Sequence, residues 1–255
     1  MFFVGIDIGS TASKVAVRGQ KELEFVLPTG WNSKETAFQI QKKLFDEYKI
    51  DVNSDEVITI STGYGRVCVP YAGETVTEIT CHAKGVQVMY DIKYCTIIDV
   101  GGQDTKIISI KDGKVDDFMM NDKCSAGTGK FLEIMCNRLG LTIDELFTYA
   151  NNGKVLQISS MCTVFAESEI IGLMGDGNSR EDIAAGVVDS VSTKVKQLAT
   201  SHGLRDKIIL TGGLSVNPIF VRILSEHLGQ SIIANKKGRF AGAIGAAAIA
   251  QKKFS

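Results

Sequence analysis

Several features are scarce or absent in this 255-residue sequence, and each absence excludes a class of protein. None of its six cysteines forms a Cys-x-x-Cys pair, which argues against a zinc ribbon, a thioredoxin-like motif and a ferredoxin-type ligand run. No apolar run reaches the ~18 residues that cross a bilayer, and the first ten residues lack the basic region of a signal peptide. Because 28 basic residues nearly balance 29 acidic ones, no charge excess favours nucleic acid or an anionic membrane. We therefore expect a cytoplasmic protein with no nucleic-acid and no membrane partner.

The sequence is rich in glycine and in apolar residues that can fill a core. Glycine supplies 26 of the 255 residues, and apolar residues make up 44% of the chain. Two β-rich stretches, one from Phe2 and one from Tyr94, are each followed by segments with helical periodicity. This order predicts an α/β fold whose function lies in the glycine-containing turns between strands.

Helix and turn predictions rest on capping signals and periodicity. Thr142 with Glu145 predicts a capping box, Asp112-Gly113 predicts a hairpin turn, and the Gly/Ala-rich segment 241–250 predicts a closely packed helix. Ser33 is expected to cap a helix that ends near Tyr48, with a buried face of Ala37, Ile40, Leu44, Phe45 and Tyr48. A helix after Gly127 is expected to bury Phe131, Leu132, Met135, Cys136 and Leu139.

An internal repeat relates the two β-rich stretches. Residues 6–14, IDIGSTASK, align without gaps on residues 98–106, IDVGGQDTK, at a shift of 92 residues. Isoleucine, aspartate, glycine and lysine recur at matching positions, and both copies predict a strand, a tight turn and a strand. Two lobes that begin with the same hairpin are the simplest account. We expect lobe I to comprise residues 1–93 and about 240–255, and lobe II residues 94–239.

The repeated turns suit phosphate chemistry. Glycine lets backbone N–H groups approach a phosphate, and hydroxyl side chains add donors. Asp7 and Asp99 are candidates to hold Mg²⁺ through water, and Gln103 is a candidate to orient the attacking water. A glycine-containing hairpin is usually only a hairpin, but two copies with aspartate in phase favour the functional interpretation. The candidate phosphate-binding residues are Gly9, Ser10, Thr11, Ala12, Ser13 and Lys14 in the first turn, and Gly101, Gly102 and Gln103 in the second.

A third element, residues 210–218 (LTGGLSVNP), predicts a strand, a glycine pair and a capped helix. Gly212 and Gly213 leave a flat backbone surface on which an adenine ring can lie, although an ordinary strand-to-helix loop is an equal alternative. Asn217 is expected to be the N-cap of a helix that starts with Pro218 and ends near Gly229. Gly127 is a further candidate for nucleotide contact. No Walker or Rossmann glycine motif is present.

The order of hairpin, hairpin and glycine pair resembles the phosphate-1, phosphate-2 and adenosine motifs of the actin, sugar-kinase and heat-shock-chaperone ATPase superfamily. More specifically, residues 121–133 (NDKCSAGTGKFLE) and 160–169 (SMCTVFAESE) resemble signatures of the ATP-dependent activators of 2-hydroxyacyl-CoA dehydratases and related double-cubane cluster proteins. Residues 62–66 (TGYGR) and 78–82 (EITCH) are also similar to that family. The resemblance covers essentially the whole chain. It implies two actin-like, ribonuclease H-like lobes with a nucleotide cleft between them.

The resemblance also implies a homodimeric ATPase with one 4Fe–4S cluster shared by its subunits, held by Cys124 and Cys162 of each. Two thiolates from each protomer supply the four that a cubane needs, and a two-fold axis is the commonest symmetry of homodimers. Without the resemblance, a buried structural role is the better interpretation of every cysteine, and it remains so for Cys68, Cys81, Cys95 and Cys136.

The function implied is the ATP-driven delivery of one low-potential electron to a partner iron–sulfur dehydratase or double-cubane protein. The implied cofactors are ATP or ADP, Mg²⁺ and the cluster, with ferredoxin or flavodoxin as electron donor. One alternative is a small-molecule kinase of the same superfamily, in which the cysteines are incidental. Another is a regulator or assembly protein whose shape ATP sets. Arg66, Glu78 and His82 receive no role from the sequence.

Overall fold

The structure, a computed structural model, describes residues 1–159, 162–205 and 207–254. The strands in these ranges are β1 (Phe2–Ile8), β2 (Ala12–Gly19), β3 (Leu23–Pro28), β4 (Val57–Thr62), β5 (Glu74–Thr75), β6 (Cys95–Val100), β7 (Thr105–Lys111), β8 (Lys114–Asn121), β9 (Ile208–Gly212) and β10 (Ile232–Ile233). The helices are α1 (Ser33–Tyr48), α2 (Glu78–Tyr90), α3 (Gly129–Leu139), α4 (Ile143–Asn152), α5 (Thr163–Gly175), α6 (Arg180–His202), α7 (Pro218–Leu228) and α8 (Ala241–Phe254). Among these helices, none combines the length and apolarity that a membrane span requires.

The strands form two five-stranded sheets with the same strand order. The first sheet has the order β3-β2-β1-β4-β5, and the second, read from its other edge, has the order β8-β7-β6-β9-β10. In the first sheet β1 is antiparallel to β2 and parallel to β4. The repeat that relates residues 6–14 to 98–106 therefore falls on strands that hold equivalent places in the two sheets, β1 and β2 in one and β6 and β7 in the other. The predicted α/β class is confirmed.

The described chain forms two compact units. One comprises residues 1–97, 108–118 and the segment from Lys236 on, and the other comprises residues 98–107 and 119–235. The lobe bounds expected from the sequence stay a prediction.

In the first unit, small residues let the C-terminal helix α8 approach its neighbours closely. A Cβ atom on Gly5 of β1 would lie 2.0 Å from Ala243 O, and one on Gly245 would lie 1.8 Å from Cys81 O. Any side chain at these glycines would displace backbone atoms, because real Cβ atoms do not come this close to a carbonyl oxygen. The prediction of a closely packed small-residue helix is confirmed.

In the second unit, α3 and α6 pack their apolar faces into one core with strands β6, β7 and β9. All five residues predicted to lie inward on the helix after Gly127 are buried in α3. Ile183, Val187, Val191 and Val195 of α6 are buried in the same core. Helix period and burial agree in both helices, as expected for amphipathic helices on a sheet.

Most local boundaries follow their capping signals. The capping box of Thr142 and Glu145 is present at the start of α4. Asp112 and Gly113, with φ of 51° and 73°, connect β7 to β8 as the hairpin signal predicts. Asn217 caps α7, which starts at Pro218.

Two expectations about α1 are wrong. The N-cap is Asn32, whose Oδ1 accepts from Glu35 N at 2.8 Å, and Ser33 is the first helical residue. Both residue types cap helices well, so the sequence alone does not decide between neighbours. Phe45, expected to face inward, is 55% exposed because Ala37, Ile40 and Leu44 already form the buried face of the helix.

Candidate nucleotide and cluster sites

The first glycine turn follows β1 and encloses a buried carboxylate. Asp7, near the end of β1, lies opposite Lys14 of β2 and Thr62 of β4. A Cβ atom on Gly63 would lie 2.4 Å from Asp7 Oδ1, and one on Gly242 would lie 2.8 Å from Asp7 Oδ2. A Cβ atom on Gly63 would also lie 2.6 Å from the backbone oxygen of Ile8, so glycine is required there. Two glycines thus border the carboxylate that is predicted from the sequence to hold Mg²⁺ through water.

Residues 9–11 form the turn itself and residues 12–14 begin β2; Thr29, directly after β3, contacts both segments. Thr29 Oγ1 donates to Gly9 O at 2.7 Å and lies 2.8 Å from Ser13 Oγ. Ser13 is fully buried, so its hydroxyl contacts Thr29 inside the protein. Thr11 is exposed, and the half-buried residues are Gly9 and Ser10 of the turn and Ala12 and Lys14 of β2.

The motif at residues 62–66 wraps around the end of β1. Gly65 N donates to Ile8 O at 2.9 Å, and Arg66 Nη1 donates to Gly63 O at 3.1 Å. Gly63 has φ of +84°, a conformation that favours glycine. The sequence assigned no role to Arg66. In the structure, its side chain stabilises the loop that borders Asp7.

The motif at residues 78–82 begins α2. His82 is buried, and its Nε2 lies 3.1 Å from the position that a Cβ atom on Gly242 would occupy, so it borders the same glycine as Asp7. Burial raises the pKa of the Cys81 thiol to about 12, which keeps it protonated and unreactive. Glu78 lies in the first turn of the helix. His82 therefore lies beside Gly242, the glycine that also borders Asp7, whereas Cys81 is a core residue.

The second glycine turn follows β6 and contains a buried charge cluster. Asp99 Oδ1 accepts from Thr211 Oγ1 at 2.9 Å, and Asp99 Oδ2 lies 3.4 Å from Lys106 Nζ. The same ammonium donates to Asp104 Oδ1 at 2.7 Å, although the Lys106 side chain is only 2% exposed. A buried ammonium of this kind is tolerated because carboxylates surround it.

Lys106 and Asp104 are site residues that sequence reasoning missed. The signal was available, because Lys106 is the counterpart of Lys14 in the internal repeat. The sequence interpretation used Lys14 for phosphate charge but left its counterpart unassigned. Lys106 instead neutralises two carboxylates inside the protein.

The residues of the second turn that are predicted to bind phosphate lie near the protein surface. Gln103 is exposed, and Gly101 and Gly102 are half-buried. Gly101 N donates to Asp104 O at 2.9 Å, which closes the turn. A Cβ atom on Gly101 would lie 2.6 Å from Asp104 Oδ1, so a larger residue there would displace the carboxylate that binds Lys106.

The glycine pair at the end of β9 consists of two residues with different roles. Gly212 has φ of +84°, and a Cβ atom on it would lie 2.3 Å from Val100 O and 2.8 Å from Asp99 Oδ1. Gly213 is exposed, and a Cβ atom there would meet nothing within 4 Å. The first glycine therefore lets β9 approach Asp99, while the second leaves the open surface expected for an adenine ring. Asn217 Oδ1 is occupied by helix capping, since it accepts from the first amides of α7.

The two candidate cluster cysteines lie on segments that contact each other. Cys124 and Cys162 are both exposed, and Cys162 is the N-cap residue of α5. The residues that follow them, Ser125 and Thr163, are joined by a hydroxyl–hydroxyl hydrogen bond of 2.6 Å. Ser160 and Met161 of the second cysteine motif lie outside the described residues.

The remaining cysteines occupy different environments. Cys81, Cys95 and Cys136 are buried, and burial raises the pKa of Cys136 to about 11. Cys68 is half-buried in a short 3₁₀ turn. Within the described part of the chain, no three His, Cys, Asp or Glu side chains are grouped so that they can hold a metal ion. Two exposed thiols on hydrogen-bonded segments fit half of a cubane ligand set, and Cys162 lies at the start of a helix whose first amides favour negative charge.

Comparison with known proteins assigns the chain to a family. The model of the BadF/BadG/BcrA/BcrD ATPase family matches residues 4–250. The chain belongs to this family. It is 37% identical over 258 residues to the (R)-2-hydroxyglutaryl-CoA dehydratase activating ATPase of Acidaminococcus fermentans, covering 99% of this chain and 98% of that protein. The resemblance seen in the cysteine motifs is thereby confirmed.

Solved structures agree with this assignment. The activator of the 2-hydroxyisocaproyl-CoA dehydratase from Clostridium difficile, solved with bound ADPNP, matches with a TM-score of 0.91 at 33% identity, over 99% of this chain and 95% of that one. A ROK family glucokinase from Streptomyces griseus matches with a TM-score of 0.62 at 14% identity, over 99% of this chain and 100% of that one. The second likeness shows the fold alone. The expected two-lobe, actin-like architecture is confirmed.

Proposed function

We propose that this member of the BadF/BadG/BcrA/BcrD ATPase family is an ATP-hydrolysing activator that delivers one low-potential electron to a partner iron–sulfur enzyme. The partner is a 2-hydroxyacyl-CoA dehydratase or a double-cubane protein, and the electron comes from ferredoxin or flavodoxin. The observation that carries the proposal is the Ser125–Thr163 hydrogen bond, which brings together the segments of two exposed cysteines. An incidental cysteine pair in a kinase would not need this arrangement.

The nucleotide, ATP or ADP with Mg²⁺, is held by the glycine-containing turns. The backbone amides of the two turns contact the phosphates, as in other glycine-lined anion sites. Asp7 and Asp99 hold Mg²⁺ through water, because this ion gives up its water shell reluctantly. The open backbone at Gly213 supports the adenine ring. Gly127 and Asn217 complete the set of candidate nucleotide contacts.

Three side chains have a role in the proposed hydrolysis: one orients the attacking water, and two balance negative charge. Gln103, exposed in the second turn, orients the attacking water. Lys14 neutralises phosphate charge in the first turn. Lys106 keeps Asp99 in place from inside the protein, since it contacts Asp99 and Asp104 at once.

The cluster site is completed by a second copy of the chain. Each chain offers Cys124 and Cys162, and a cubane requires about four thiolates, so a homodimer supplies the set. A bound 4Fe–4S cluster supplies one-electron transfer at this site. Cys124 and Cys162 would hold it as thiolates, and the positive end of α5 would offset the negative charge at Cys162, its N-cap residue.

ATP hydrolysis meets an energetic need in this proposal. Moving one electron uphill by ~300 mV costs roughly 7 kcal/mol, at about 1.4 kcal/mol per 59 mV. Hydrolysis supplies a free energy of that order only if nucleotide and cysteine sites are coupled. The separation of Cys124 from Gly127 by two residues provides a short connection.

The decisive experiment is anaerobic reconstitution with iron and sulfide, followed by iron analysis and determination of the oligomeric state. We expect about two iron atoms per chain in a dimer. Cys124→Ser and Cys162→Ser should each lose the iron and the visible absorbance. Cys68→Ser is the matched control, because Cys68 is half-buried in a 3₁₀ turn, and it should retain both.

Other outcomes contradict the proposal. An iron-free protein with normal ATP turnover, which phosphorylates a hydroxyl compound, supports the small-molecule kinase instead. An iron-free protein that binds ATP without turnover supports a regulator or assembly protein. Iron retained in both cysteine variants excludes Cys124 and Cys162 as the ligands.

A further inference from the structure

The start of α3, which follows the loop that contains Cys124, is hydrogen-bonded directly to the second glycine turn. Gly129 N donates to Gly101 O at 2.9 Å, and Lys130 N donates to Gly102 O at 2.7 Å. These two bonds involve only backbone atoms, so side-chain substitutions leave them in place. They connect the start of α3 to the turn that we assign to the nucleotide phosphates.

A third bond in this connection comes from a side chain. Thr105 Oγ1 donates to Gly127 O at 2.7 Å, and both residues are buried. Thr105 begins β7, immediately after the turn, and Gly127 lies three residues beyond Cys124. A cavity of about 460 Å³ is lined by both Thr105 and Cys124. Thr105 therefore supplies the part of the connection that a substitution can remove.

The Cys124 loop is braced internally, so displacement at one end is transmitted along it. Asn121 Nδ2 donates to both Cys124 O and Ala126 O, each at 3.0 Å. Thr128 Oγ1 donates to Ser125 O at 2.6 Å. These bonds tie the loop at its start, its middle and its end. We expect it to move as a unit when its attachment to the glycine turn shifts.

The same loop leads to the second cysteine. Ser125 is bonded to Thr163, the first residue of α5, which follows Cys162 directly. A path of hydrogen bonds joined by short covalent segments thus runs from the glycine turn, through the Cys124 loop, to the Cys162 segment. Such a chain is a physical route for coupling, but coupling itself is a free energy that must be measured.

We propose that Thr105 is a positioning residue that couples the nucleotide state of the second glycine turn to the exposure of Cys124. This inference rests on the proposed nucleotide site. A phosphate that binds the amides of Gly102 and Gln103 reorients the peptide units that also contain the carbonyls of Gly101 and Gly102, and these carbonyls accept from the start of α3. The hydrogen bond from Thr105 makes Gly127 move with the turn, and the Cys124 loop, which contains Gly127, moves with it.

The test measures the alkylation of Cys124 in protein without a cluster. The iodoacetamide reaction is followed by mass spectrometry of the Cys124 peptide, with and without Mg²⁺–ADP or a non-hydrolysable ATP analogue. Calorimetry on the same samples gives nucleotide affinity. In the wild type we expect saturating nucleotide to change the alkylation rate by about five-fold or more.

Three variants separate coupling from structural support. Thr105→Val keeps the shape but loses the hydroxyl, and it should bind nucleotide normally while losing the nucleotide effect on Cys124. Thr105→Ser keeps the hydroxyl and should retain the effect. Thr59→Val is the matched control, because Thr59 is a buried strand threonine whose hydroxyl has no hydrogen-bond partner among the described residues.

The outcomes distinguish this inference from the proposed function. A Thr105→Val protein that responds like the wild type overturns the role of Thr105, as does a folded Thr105→Ser protein that has lost the response. A wild type that binds nucleotide without any change at Cys124 overturns the coupling but not the nucleotide site. A wild type that binds no nucleotide contradicts the proposed function itself.

Discussion

Thr211 donates a hydrogen bond of 2.9 Å to Asp99, although the two residues are 112 positions apart in the chain. Both are buried at the ends of neighbouring strands β9 and β6. The bond fixes one carboxylate oxygen of Asp99, and Lys106 lies against the other. The glycine-pair motif thus contributes to the Asp99 site through its preceding threonine as well as through its bare backbone.

Removal of the buried lysine should destabilise the protein. Lys106→Met leaves the Asp99 carboxylate buried without its cation, and breaking such a buried pair costs about 3–5 kcal/mol. We expect the urea midpoint of unfolding to fall accordingly, with an unchanged denaturant dependence.

The matched control for this substitution is Lys130→Met. Lys130 pairs with Glu133 at 3.0 Å in an exposed position on α3, where such a pair contributes ~1 kcal/mol or less. If the two variants lose the same free energy of unfolding, Lys106 does not stabilise the protein as the counter-ion of Asp99.

The glycine pair should separate folding from nucleotide binding. Gly212→Ala places a methyl group 2.3 Å from Val100 O in a residue with φ of +84°, so we expect a loss of about 1–3 kcal/mol from strain alone. Gly213→Ala meets no neighbouring atom within 4 Å and should leave stability unchanged. If adenine lies on this surface, Gly213→Ala should weaken ADP binding, as measured by calorimetry. Normal ADP binding by a folded Gly213→Ala protein removes the adenine from this position.

The repeat made the two hairpins predictable, because the pattern of strand, turn and strand is local. The same is true of the Asn217 cap and the Thr142–Glu145 capping box, which depend on neighbours within three residues. The family resemblance singled out Cys124 and Cys162 for a related reason: each lies in a short contiguous motif.

The missed features depend on contacts between distant segments. A lysine such as Lys106 would ordinarily be read as exposed, and only the spatial positions of Asp99 and Asp104 make its burial tolerable. The Ser125–Thr163 bond joins residues 38 positions apart, without any periodic pattern between them. Capping chemistry alone also did not distinguish Asn32 from Ser33 at the start of α1.

Gln103 should affect turnover without affecting stability. Its side chain is exposed, so Gln103→Ala should leave the urea midpoint unchanged. If it positions the attacking water, the kcat for ATP should fall by about 10²-fold while ADP affinity stays the same. Gln20→Ala, at an exposed glutamine just after β2, is the control and should turn over ATP normally. An unchanged kcat in Gln103→Ala removes Gln103 from the mechanism.

Two buried thiols should make stability fall at high pH. Burial raises the pKa of Cys81 to about 12 and that of Cys136 to about 11, from an ordinary 9.0. The unfolded chain releases both protons near pH 9, while the folded protein retains them. The contribution of these thiols to the free energy of unfolding is therefore fully present below pH 9 and is lost as the pH rises through about 11 and 12. Urea unfolding between about pH 8 and 11 should show a fall of at most ~1.4 kcal/mol per pH unit for each thiol. Cys136→Ala should have a shallower slope than the wild type, and equal slopes contradict the assignment.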